Sequence, residues 1–151
     1  MSREFTEKEV EKVLKSYPKP LNVAMAATWV LGNLKGENLK VLDVSKHSTL
    51  ADYYVLASST NPTQSGSMVD EIARIAKKNG ISVLSIEGKG SSDWVLIDLG
   101  EVIVHIFSET VRDVYNLDSL YSDAQVMPIP EEYYFSTPES VTEDEEEGTF
   151  F

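Results

Sequence analysis

The sequence predicts an α/β fold, one mixed sheet of about five strands with helices packed on it. After two leading helical segments, strand-like and helical runs follow in the order β-β-α-β-β-β-α. Apolar residues make up 42% of the 151 positions, enough for one core, and the length suits one domain. The runs at 94–99 and 102–107 are apolar nearly throughout, Asp98 and His105 excepted. Strands of that kind have both faces covered, by the chain itself or by a partner.

Taken in order, residues 6–16 read as an amphipathic helix, with Thr6 and Glu9 at capping-box spacing and Val10, Val13, Leu14 and Tyr17 on one face. Pro18 and Pro20 stop it. A second helix starts at Asn22 as N-cap, runs to Leu34 and ends at Gly36. Its broad apolar face carries Val23, Ala26, Ala27, Val30 and Leu31, with Trp29 at the edge. Residues 39–44 and 52–59 are strands, separated by a polar turn that holds His47. Asn61 caps the next helix, Pro62 suits its first position, and Asn79-Gly80 ends it. Residues 81–86 make a third strand, and a polar loop at 88–93 leads to a hairpin, 94–99 with 102–107, around Gly100-Glu101. A last helix covers 109–115, with a further turn through Leu120.

Charge divides the chain. Of its 25 acids, eight lie at 127–151, a stretch without Lys or Arg. The other residues hold 17 acids against 13 bases, a net of −4. Three parts follow: an N-terminal helical extension at 1–20, the domain proper at 21–126, and an acidic tail at 127–151. Like-charge repulsion predicts disorder for the tail, with the aromatic cluster Tyr133-Tyr134-Phe135 as its one candidate for docking. Neither the body nor the tail clusters the Lys and Arg that displace counterions from phosphates, so little direct nucleic-acid contact is expected. No apolar run approaches the ~20 residues of a membrane span. The charged N-terminus reads as neither a signal nor a transit peptide, which points to the cytoplasm. The absence of cysteine excludes disulfides, thiolate catalysis and cysteine-bound metals.

No catalytic constellation stands out. In Gly88-Lys89-Gly90-Ser91-Ser92 a lysine follows the first glycine at once and the loop leads into a strand, so it is a polar turn and not a Walker loop. Gly66-Ser67 suggests a nucleotidyl transferase, but Asp70 and Glu71 fall inside a helix and no Asp-x-Asp pair occurs on a nearby strand to hold two metals. His105, mid-strand between apolar neighbours, reads as a hydrogen-bonded structural group with Asp98 or Asp43 as its partner. On residue type alone, Trp94 and Tyr115 are either core or interface residues, and Arg112 is either a surface cation or an interface residue sharing a helix side with Tyr115.

A resemblance favours the interface. From Leu34 to about Val126 the chain is similar to the ribosomal silencing factor family, also called the Iojap family. The matching positions are Val41-Leu42-Asp43-Val44, Ser48, the run from Ala51 to Ser58, Asp70-Glu71-Ile72, Ile86-Glu87-Gly88, the block from Asp93 to Phe107, and Arg112, Tyr115, Leu117, Leu120 and Asp123-Ala124. Ser59, Thr63 and Tyr121 depart from the family pattern. The resemblance implies a nucleotidyltransferase-like fold without the transferase site, no catalysis, no cofactor and no metal, and a homodimer when free. It also implies binding to large-subunit ribosomal protein fourteen, which blocks subunit joining and lowers translation when nutrients are scarce. Carried over by position, Trp94, Leu96, Asp98, Arg112 and Tyr115 are the candidate partner contacts, with Glu87 a further candidate. Trp94, Leu96 and Asp98 alternate along one strand and so share a sheet face. The rival readings are a metal-dependent nucleotidyl transferase and a dimeric scaffold for another assembly protein.

Overall fold

The computed structural model describes residues 2–90 and 93–134. Two helices, α1 (Arg3–Ser16) and α2 (Leu21–Asn33), precede strands β1 (Glu37–Asp43) and β2 (Tyr53–Ser59). Helix α3 (Pro62–Lys78) leads to β3 (Ser85–Glu87), β4 (Trp94–Asp98) and β5 (Val102–Ser108). Helices α4 (Glu109–Tyr115) and α5 (Leu117–Leu120), strand β6 (Gln125–Met127) and a 3-10 turn (Glu131–Tyr133) complete the described chain.

Among the described residues the sheet has six strands in the order β3-β4-β5-β2-β1-β6. Only β2 and β5 run parallel, and every other neighbouring pair is antiparallel. The mixed α/β class is as expected, and the strand beyond the expected five is β6. Composition assigns Met127 to the tail, yet Met127 pairs with Val41. The chain then turns so that Tyr133 is buried beside α2. Residues 135–151, the rest of the expected acidic tail, lie outside the described residues.

Several boundaries differ from expectation for local reasons. Helix α1 begins a turn early because Ser2 caps it, its Oγ accepting from the Phe5 N–H at 3.1 Å, and Thr6 is buried inside the helix. Asn22 lies within the first turn of α2, and its Nδ2 donates to the Leu14 carbonyl at 3.2 Å, tying the two helices together. Lys35, not Gly36, takes the left-handed position after α2 (φ 69°), while the Gly36 N–H reaches back to the Leu31 carbonyl at 2.8 Å. Helix α3 ends the same way: Gly80 is left-handed (φ 72°) and the Ile81 N–H bonds the Ala76 carbonyl at 2.8 Å. That cap engages Ile81, so the third strand shortens to three residues and its ladder starts with the Leu84 N–H on the Asp98 carbonyl at 2.7 Å.

The two sheet faces are covered unequally. Helices α2 and α3 bury one face, where Val41, Val55, Ala57, Val95, Ile97, Val104 and Ile106 point, and α1 packs on α2. The other face carries Leu42, Tyr54, Leu56, Ile103 and Phe107, under Leu117 and Ala124. Strand β5 is therefore buried on both sides, but β4 is buried on one side only: Val95 and Ile97 are enclosed, Trp94, Leu96 and Asp98 half-exposed.

Gly32 on α2 makes the buried turn possible, since a Cβ there would stand 1.9 Å from the Tyr133 backbone oxygen. Gly32→Ala is expected to displace residues 131–134 and to lower stability by about 1–3 kcal/mol, the usual range for overpacking. Urea unfolding with limited proteolysis checks this, because cleavage near Tyr133 should rise sharply in the variant.

A half-open strand face as candidate docking site

The hairpin register builds the patch. Trp94 pairs with Phe107, Leu96 with His105 and Asp98 with Ile103, while on the outer side Glu87 pairs with Leu96. Trp94, Leu96, Glu87, His105 and Phe107 thus share one face, the side chains alternating along each strand. Tyr115, at the end of α4 and 59% exposed, leans over the edge of that face with its ring 4.7 Å from the Trp94 ring. Glu87, Gly88, Trp94 and Leu96 line an open depression of about 280 Å³ beside it. Of the six expected contact residues, Glu87, Trp94 and Leu96 therefore line one shallow depression, and Tyr115 stands beside it against Trp94.

Asp98 shares the face but lies at the far end of the strand, where its Oδ1 accepts from the Gly100 N–H at 2.8 Å and holds the hairpin turn, Gly100 being left-handed at φ 94°.

Arg112 is a correction. It does not stand on the surface beside Tyr115; it is buried. Its Nε and Nη2 each donate to Asp118 at 3.1 Å, and its Nη1 donates to the Asn38 carbonyl at 2.7 Å and to Ser58 Oγ at 2.9 Å. The guanidinium also lies 5.5 Å from the Phe107 ring centre. Asp118 accepts from Lys40 as well, at 2.8 Å, and hydrogen bonding to Arg112 above all pulls its carboxyl down to about 2. The side of α4 that carries both Arg112 and Tyr115 runs from the protein interior to its rim, so spacing of three residues does not give the two equal exposure. Arg112 fastens α4 to the sheet and thereby places Tyr115.

His105 is hydrogen-bonded, but neither Asp98 nor Asp43 is its partner. The indole Nε1–H of Trp94 donates to its Nδ1 at 3.2 Å. Tyr54 meets the imidazole edge-on at 4.8 Å and Phe107 stacks at 6.2 Å. The hairpin register contains the signal for this pair, because 94↔107 and 96↔105 make Trp94 and His105 diagonal neighbours on one face. Asp43 instead accepts from Ser45 on its own loop.

Burial drives the His105 pKa down from 6.5 to about 4, so the ring is neutral at physiological pH. Between pH 6.5 and 4 the unfolded chain binds a proton here that the folded chain does not. Stability is therefore full above pH 6.5 and falls as the pH drops through that window, by up to about 3 kcal/mol. The lowered carboxyls of Glu7, Glu109 and Asp118 act only below their unfolded values of 4.5, 4.5 and 3.8. Urea unfolding at pH 7, 6 and 5 should show the decline, and the slope should flatten in His105→Phe.

The remaining sequence candidates are tied up elsewhere. Asp70 pairs with Lys89, and Glu71 with Arg74, which also meets Glu7 at 2.8 Å. Among the described residues no three His, Cys, Asp or Glu side chains converge as a metal site, and no helix is long and apolar enough to cross a membrane.

Comparison with known proteins gives the family and the fold. Residues 17–149 match the model of the family RsfS, "Ribosomal silencing factor during starvation". The chain is 36% identical over 104 residues to the ribosomal silencing factor RsfS of Bacillus subtilis, covering 69% of this chain and 86% of that one. It is 26% identical over 110 residues to the chloroplastic protein Iojap of Zea mays, covering 73% of this chain and 48% of that one. A crystal structure of a Chromobacterium violaceum protein superposes with a TM-score of 0.67 at 25% identity, covering 82% of this chain and 99% of that one. With the mixed sheet shared with that structure and the family match over residues 17–149, the chain belongs to the RsfS family of ribosomal silencing factors.

Proposed function

We propose that this chain represses translation as a stoichiometric plug. It docks the half-open face of β4 on large-subunit ribosomal protein fourteen and keeps the small subunit from joining. The observation that carries the reading is Trp94: a large aromatic, half-exposed on a strand, with Leu96 and Glu87 around an open depression and the Tyr115 ring at its side. Aromatics presented in that way are the residues that dominate binding energy at protein interfaces. Asp98 closes the far end of the surface. The net charge of −4 outside the acidic stretch at 127–151 suits a basic partner and speeds its encounter.

No bond is made or broken in this mechanism. Repression follows occupancy, set by the concentration of the chain relative to its Kd. Away from the ribosome the protein is a homodimer in the cytoplasm. The ion pairs that engage Asp70 and Glu71 favour this reading over a two-metal transferase, which needs free, converging carboxylates.

Co-sedimentation tests the proposal. Purified chain mixed with separated ribosomal subunits should pellet with the large subunit and not with the small one. Pelleting with neither, or equally with both, would refute it.

A further inference from the structure

We propose that His105 is the positioning residue of the docking face: it accepts the indole N–H of Trp94 and so presents that ring to the partner in a single orientation. The inference rests on the reading that Trp94 docks.

His105 is buried among Trp94, Tyr54 and Phe107. Among the described residues its side chain makes one hydrogen bond, to Trp94, and its Nε2 is enclosed without a partner. A neutral ring that accepts at Nδ1 carries its proton at Nε2, so this arrangement encloses an unsatisfied donor, which is unfavourable for the fold. A phenylalanine would fill much the same space without that penalty. A polar residue at this point of an apolar layer is thus explained by the group it serves, and that group is the indole. Burial keeps the ring neutral and its acceptor available throughout the physiological range.

The benefit falls on binding. A half-exposed tryptophan at the rim of a sheet otherwise samples several rotamers, and a partner must freeze one of them. Tyr115 at 4.7 Å limits the indole from one direction. The bond to His105 fixes it from beneath, so its ordering precedes the encounter.

The test compares wild type, His105→Phe, Trp94→Ala and the double variant in binding to purified large subunits, with an NMR spectrum of the two indole N–H groups, assigned by Trp94→Phe. His105→Phe should stay folded, shift the Trp94 indole proton upfield, and bind about three- to tenfold more weakly. In the Trp94→Ala background the same change should have no further effect, because a positioning role vanishes with the group positioned. Wild-type affinity of His105→Phe beside a weakened Trp94→Ala would overturn this proposal and leave the docking reading standing. Additive losses in the double variant would do the same. Wild-type affinity of Trp94→Ala would overturn both. Should His105→Phe not fold, His105→Gln, which keeps an acceptor, should hold the indole shift and bind within about twofold of wild type. A folded His105→Gln that retains the shift but binds about tenfold more weakly would overturn the proposal.

Discussion

Arg112→Ala is expected to lower stability by roughly 3 kcal/mol, the low end of the range for breaking a buried ion pair, since the Asp118 side chain keeps 26% of its exposure. The loss combines several contacts of one group. Without the guanidinium, the Asn38 carbonyl and Ser58 lose a donor, Phe107 loses the cation beside its ring, and Asp118 is left with Lys40 alone. Lysine should not rescue the fold, because one ammonium cannot match the two-pronged bond to Asp118 while also reaching Asn38. Urea denaturation of the alanine and lysine variants checks the magnitude. The same experiment decides the residue's role. Ribosome affinity, corrected for the folded fraction, should fall only as far as α4 loosens Tyr115. A large loss of affinity with unchanged stability would make Arg112 a direct contact.

Trp94→Ala should produce a different pattern, a folded protein with a modest loss of stability, as His105 loses its hydrogen bond, and a large loss of binding. The buried side of β4, Val95 and Ile97, is untouched by the change, and the ring lost lies at the rim. Removing the central aromatic of a docking surface costs about 2 kcal/mol or more, roughly a 30-fold rise in Kd. Tyr115→Ala, which removes the tilted ring beside the indole, should give a smaller loss of the same kind. Equilibrium binding to purified large subunits measures both. Wild-type affinity of a folded Trp94→Ala would remove that residue from the site.

What could be read from sequence was whatever local chemistry determines. The Asn61 cap and Pro62 start of α3, its Asn79-Gly80 end and the hairpin around Gly100 all stand where the residues place them. The candidate patch came from the resemblance: alternation puts three of its residues, Trp94, Leu96 and Asp98, on one strand face, and the observed register sets Glu87 beside Leu96. The misses depend on distant partners. Strand β6 is three residues beside two prolines, and pairing with distant β1, Met127 with Val41 86 positions earlier, makes it a strand. Tyr133 is buried because Gly32 leaves room for its backbone. Arg112 is drawn inward by Asn38 and Ser58, neither of which is near it in sequence. The partner of His105 was a different kind of miss, since residue type favoured a carboxylate and the geometry chose an indole.

Subunit joining, followed by light scattering as small subunits are added to large subunits preloaded with this chain, tests the central claim most directly. A plug predicts that the scattering rise disappears at one chain per large subunit and returns when Trp94→Ala replaces the wild type. Normal joining on large subunits shown to carry the bound chain would contradict the account.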